Sequence, residues 1–170
     1  MRASVLTPLL CSLIALCGCA GYKLGPTNGQ AAGARSIHVA PLLNQTLEPR
    51  LTDSITAALR KSFQLDGTFR LGSAGEADIV VTGNVTEYRR RAQSLAPSDL
   101  ATGRDYRLEI TVQITATERA TGRVLLEKSI PGSTLIRVGS DLSSSERQAM
   151  PLLGEDVAKQ IVSLLAEGTW

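Results

Sequence analysis

A chain of 170 residues with a formal net charge of +2 and only 4% aromatic residues is not built to hold nucleic acid. Such binding needs a dense basic field or a stacking platform, and this composition supplies neither. Once an apolar leader is set aside, about 150 residues remain, which is the size of one domain.

Met1-Arg2 gives a short positive start, and the chain from Val5 to Cys17 is apolar apart from Thr7, Pro8 and Ser12. A run of about 13 residues matches a signal-peptide core and falls short of the roughly 20 needed to span a bilayer. Small residues close it, which predicts export with residues 1–18 as the signal peptide. The edge Leu16-Cys17-Gly18-Cys19 resembles the bacterial lipobox. In that pattern an aliphatic residue, a small residue and Gly or Ala precede the cysteine that is lipidated. Cys19 fits it, with Leu16 at −3 and Gly18 at −1. Cys17 fits badly, because bulky Leu16 would stand directly before it. Cys17 in place of the usual Ala or Ser is a departure that bears on processing efficiency.

Cleavage before Cys19 removes Cys11 and Cys17 and leaves one cysteine at the new N-terminus. No internal disulfide is then available, and a thioether to lipid caps the remaining thiol. Acyl chains at about 0.8 kcal/mol per buried methylene make a lasting anchor. The alternative is a plain cleaved signal with an incidental cysteine. Ala20 stands where many enteric lipoproteins retained at the inner membrane carry Asp, so the expected location is the periplasmic face of the outer membrane.

Residues 19–35 are rich in Gly, Ala and Thr and read as a lipidated tether, with a short extended piece at Tyr22-Lys23-Leu24. A single domain over 36–170 follows. Ser36 to Leu43 alternates like a strand, with Pro41 marking an edge or an end. Asn44 to Pro49 is a turn. Pro49 to Gln64 carries Leu51, Ile55, Ala58, Leu59 and Phe63 on one helical stripe, and Gly67 stops it. Phe69 to Leu71 is a short strand, and Gly72 to Ala77 a loop. Asp78 to Arg90 is a strand with Ile79, Val81 and Val85 on one face. Arg107 to Thr117 alternates cleanly: Leu108, Ile110, Val112, Ile114 and Ala116 on one face, Glu109, Thr111, Gln113, Thr115 and Thr117 on the other. One wet face implies an antiparallel sheet. Ala120 to Arg123 is a hairpin turn. Val124 to Ile136 is the partner strand, expected to bulge or bend near Pro131-Gly132. A second helix lies between Ser144 and Glu167, with Ser143-x-x-Glu146 as a capping box. Leu153, Val157, Ile161, Leu164 and Leu165 form its buried stripe. Pro151 either kinks it or starts its main segment. The expected fold is α+β: a two-layer α/β sandwich, with a mostly antiparallel sheet of about four strands and two helices on one face.

Catalytic chemistry finds little here. His38 is the single histidine and stands mid-strand, beside no evident nucleophile. Ligand spacing for a metal is missing, and no cofactor motif is present. Gly72-x-x-Gly75 lacks the Lys-Ser/Thr of a phosphate loop and reads as a turn. Arg89-Arg90-Arg91 is the dense basic patch. Alternation places Arg89 and Arg91 on one face and Arg90 on the other. Two readings stand: guanidiniums that grip phosphates bidentately, or a solvated strand end whose charge discourages edge pairing. Arg104 and Arg107 lie across the same loop and extend the patch. Arg137 lies near one end of the sheet.

Taken together, these segments resemble the LptE family of lipopolysaccharide-assembly lipoproteins. The matching stretches are Cys19 to Leu24, "VAPLLNQTLEPRL", "LRKSFQLDGTFRL", "ADIVVTGNVTEYRR", "YRLEITVQITATERATGRVLLE" and "SERQAMPLLGEDVAKQIVSLL". The resemblance implies a non-enzymatic outer-membrane lipoprotein with an α/β sandwich. It would sit in the lumen of a large β-barrel, LptD, help that barrel assemble, and bind lipopolysaccharide. Family ligand contacts are basic residues in loops near one end of the sheet. Here the loop Ser94 to Gly103 has no basic residue, so contact would fall to Arg89, Arg91, Arg104 or Arg107. A second resemblance, "IHVAPLLNQT", is to lipoproteins that activate peptidoglycan synthases or form secretion pores. A tether of about 16 residues favours work at the membrane over a reach across the wall.

Overall fold

The computed structural model describes residues 31–93, 104–138 and 141–168. The expected signal peptide, the expected lipidation site Cys19, the expected tether up to residue 30 and the loop Ser94 to Gly103 lie outside the described residues.

Among the described residues, six strands and two helices follow in the order β1 (Arg35–Val39), β2 (Leu43–Asn44), α1 (Leu51–Asp66), β3 (Phe69–Leu71), β4 (Ile79–Ala92), β5 (Arg104–Glu118), β6 (Val124–Val138) and α2 (Leu142–Ala166). The sheet order is β3-β1-β4-β5-β6, with β2 also on β4. The long strands β4, β5 and β6 are antiparallel neighbours. β1 pairs in parallel with both β3 and β4, because α1 carries the chain back to start β3 beside β1. The α+β class with two helices therefore holds, and the sheet is mixed.

β5 shows how sequence becomes layer. Its five even-numbered apolar residues from Leu108 to Ala116 are all at most 2% exposed. α1 adds Leu51, Ile55, Leu59 and Phe63, and α2 adds Leu153, Val157, Ile161 and Leu165, to one core. Both helices cover the same face, and among the described residues no helix packs on the other face of β4, β5 and β6.

Gly67 ends α1 in the left-handed region (φ 74°), its amide donating to the Phe63 carbonyl at 3.2 Å. α2 starts earlier than its periodicity suggests. Its cap is Asp141, whose carboxylate accepts from the Ser143 and Ser144 amides, so Ser143 is inside the helix and not its cap. Pro151 lies inside α2, which continues through it from Leu142 to Ala166.

The expected break at Pro131-Gly132 is absent. Register runs unbroken from Ile110↔Gly132 to Thr111↔Pro131. β6 is an edge strand, and strand parity turns the Pro131 nitrogen outward, where no ladder bond is lost. Gly132 has a packing role instead. A Cβ there would stand 2.3 Å from Val157 Cγ2, so its bare backbone lets α2 lie against β6. The irregularity in this part of the sheet is in β4, between Val85 and Glu87. One extra residue, Thr86, changes the parity: Val85 faces the core before it, and Tyr88 and Arg90 face the helix layer after it.

At the other end of the sheet, Asp78 ties β4 to β1. Its carboxylate accepts from the Ser36 amide and hydroxyl, both at 2.7 Å. Those donors, the amide first, hold its pKa below the ordinary carboxylate value, with Arg35 and Arg70 adding to the effect. Glu118 is lowered too, chiefly by the Thr121 hydroxyl and then by Arg35. A folded pKa below the unfolded one contributes stability that is present above the unfolded value, about 3.9 for Asp, and lost as pH falls through the folded value. Asp78→Asn is therefore expected to lower the melting temperature at neutral pH and to flatten its decline below about pH 4. Thermal melts across that range check it.

Candidate ligand and partner face

The uncovered face is lined by alternate residues of β4, β5 and β6. Thr82, Asn84, Gln113 and Thr115 border a shallow groove of about 760 Å³, with Pro41 and Leu43 at one side. Several hydroxyls are spent on the sheet itself: Thr86 Oγ1 donates to the Thr111 carbonyl at 3.2 Å, and Thr111 Oγ1 to Glu87 at 3.3 Å. The remaining amide and hydroxyl groups make a surface suited to hydrogen bonding.

The basic patch sits at the far end of this face. Arg91 stands opposite Arg107 and Arg89 opposite Glu109, so Arg89, Arg91 and Arg107 share the wet face, as alternation requires. Arg137 joins them from β6 beside Asp105. Arg104 opens β5, its backbone in register with Val138.

The charges are largely balanced in place. Arg89 pairs with Glu87, Arg91 Nε lies 2.8 Å from Glu109, and Arg137 Nε lies 3.1 Å from Asp105. Four guanidiniums thus meet three carboxylates. Arg107 has no ion-pair partner among the described residues. These pairs are exposed and individually weak, so an anion can compete for the arginines.

Arg90 belongs to a different arrangement. Its Nη1 lies 2.5 Å from Glu146 Oε1, and the Tyr88 hydroxyl donates to the same oxygen at 3.3 Å. Burial, then the Glu146 charge, push the Tyr88 pKa well above its ordinary value, so it remains a donor. Glu146 thus clamps the start of α2 to β4 and serves no capping box.

His38 Nδ1 lies 3.2 Å from the Gly72 carbonyl. Among the described residues no cluster of His, Cys, Asp and Glu could hold a metal ion, and no helix is long and apolar enough to cross a membrane.

The LptE family model, described as lipopolysaccharide-assembly, matches residues 34–165. The chain belongs to the LptE family. The match runs from the start of β1 almost to the end of α2, so membership covers the whole sandwich. It makes the chain a lipoprotein of lipopolysaccharide assembly, in a family that is not enzymatic. Among curated proteins the sequence has no significant match. Solved structures share the fold at low identity. A Xanthomonas campestris protein aligns with TM-score 0.57 at 11% identity, over 84% of this chain and 91% of its own. A hypothetical protein from Chlamydia trachomatis aligns with TM-score 0.56 at 12% identity, over 78% and 95%. A minor lipoprotein from Acinetobacter baumannii aligns with TM-score 0.51 at 17% identity, over 78% and 92%.

Proposed function

We propose that this LptE-family chain is an outer-membrane lipoprotein, anchored on the periplasmic side through Cys19 after removal of residues 1–18. It seats in the lumen of an LptD-type β-barrel, assists the assembly of that barrel and helps deliver lipopolysaccharide to the outer leaflet. Family membership over residues 34–165 carries this reading. The uncovered sheet face fits it, because a plug must meet a barrel wall with hydrogen-bonding groups and not with an apolar surface.

Lipopolysaccharide phosphates would be met by Arg89, Arg91 and Arg107, with Arg104 at the mouth of the adjoining loop. Arg107 leads, since no carboxylate among the described residues pairs with it. Arg107→Glu is expected to weaken lipopolysaccharide binding about fivefold at low salt, with the difference narrowing as salt rises. Equal binding at all salt concentrations would return the patch to a solvated strand end. The partner is tested by isolating the C-terminally tagged lipoprotein from outer membranes in mild detergent. An equimolar large β-barrel is the expected companion. A peptidoglycan synthase, or a ring of this chain alone, would overturn the reading.

A further inference from the structure

β4 has strands on both sides only in its first half. β1 and β2 pair with it as far as Val85, where the Gln45 amide donates to the Val85 carbonyl at 2.9 Å. Beyond the bulge, β5 is its one neighbouring strand among the described residues. Parity identifies the groups left over. The Gln93 amide donates to the Asp105 carbonyl at 2.9 Å, so odd-numbered residues of this half turn their backbone toward β5. The amides and carbonyls of Tyr88, Arg90 and Ala92 therefore point to the open side. No described residue hydrogen-bonds them there.

The opposite edge of the sheet is treated differently. On β6, Pro131 has no amide, its carbonyl accepts from Gln160 Nε2 at 2.9 Å, and the Ser133 amide donates to Asp156 Oδ2 at 2.9 Å. That edge is closed to another strand along its middle. Among the described residues the β4 edge has no such cover, and β2 already adds two residues of strand along its line.

Side chains along the open half choose the guest. Arg89 and Arg91 are 55% and 59% exposed. The segment Thr86–Ala92 carries three arginines against one carboxylate, Glu87, so a second copy paired antiparallel across a twofold axis would bring two net-positive segments together, which like-charge repulsion disfavours. An acidic strand is favoured instead. Leu43 is 66% exposed and Leu47 fully exposed where that strand would enter, offering apolar contact.

We infer that the Thr86–Ala92 edge of β4 takes up an extended, acidic segment of the barrel partner as an added strand in line with β2. The inference rests on the barrel reading for the identity of the partner and on the sheet for the mode of contact. Ala92→Pro tests it. This residue is exposed and its amide faces away from β5, so the variant should melt with the wild type while recovering about tenfold less barrel from outer membranes. Hydrogen exchange on the full-length lipoprotein, free and in the isolated complex, gives the second readout. The Tyr88, Arg90 and Ala92 amides should exchange rapidly when free and slowly in the complex, whereas Glu87, Arg89 and Arg91 are slow in both. A barrel present with unchanged exchange at those three amides would overturn this inference alone. No barrel in the isolate would overturn both readings, and the same protection in a homodimer of this chain would overturn the choice of partner.

Discussion

Phe63→Ala is expected to cost about 3–5 kcal/mol of folding stability, enough to leave a domain of this size marginal or unfolded. Phe63 is 0% exposed in the last full turn of α1. Its ring meets Phe69, the first residue of β3, edge to face at 6.0 Å and 81°. The pair joins the end of the helix to the strand that follows it. Truncation therefore opens a cavity and also loosens the return that sets β3 beside β1. Leu65, two residues on, is 76% exposed, and Leu65→Ala should change stability by less than about 0.5 kcal/mol. Urea denaturation of both variants, made in the unlipidated full chain, checks the contrast. Equal losses would mean that α1 does not pack on this stripe.

Gly132→Ala is expected to cost about 1–3 kcal/mol although it adds one methyl group. The new Cβ would meet Val157 Cγ2 at 2.3 Å and Ile110 Cγ1 at 3.2 Å, so α2 must move away from β6 or the strand must bend. The contact has a partner that can be removed. Val157→Ala alone should destabilise by leaving a cavity, yet combined with Gly132→Ala it should recover part of the loss. The expected coupling is about 0.5–3 kcal/mol in the stabilising direction. Strictly additive losses would show that Gly132 matters for strand conformation and not for the approach of the helix.

Gly132 also shows how far the sequence alone specifies the fold. Clean alternation in Leu108 to Ala116 announced β5, its buried face and its wet face, because each of its residues has the same kind of neighbour along the whole strand. Pro131-Gly132 read as a break, because a local rule cannot know that β6 is an edge or that Val157 lies over the glycine. Thr86 is similar: an extra residue in β4 shows itself only through its pairing with β5. The cap of α2 lies two residues before Ser143, since Asp141 and Ser143 are both good caps and only the backbone decides between them.

The arginine row followed the same pattern. That Arg89 and Arg91 share a face with Arg107 came from parity and pairing. That Glu109 balances Arg91, and Glu146 holds Arg90, depends on segments far away in sequence. The Arg89–Glu87 pair was the exception, since two residues apart on a strand share a face, and it could have been read directly.

The central claim is that the uncovered face of β4, β5 and β6 meets a β-barrel from within. Gln113 is exposed in the middle of that face, and a photo-crosslinking residue placed there in the full-length lipoprotein, activated in intact outer membranes, tests it most directly. The account predicts one major adduct, with a large outer-membrane β-barrel. An adduct with a second copy of this chain or with a peptidoglycan synthase, and none with a barrel, would contradict it.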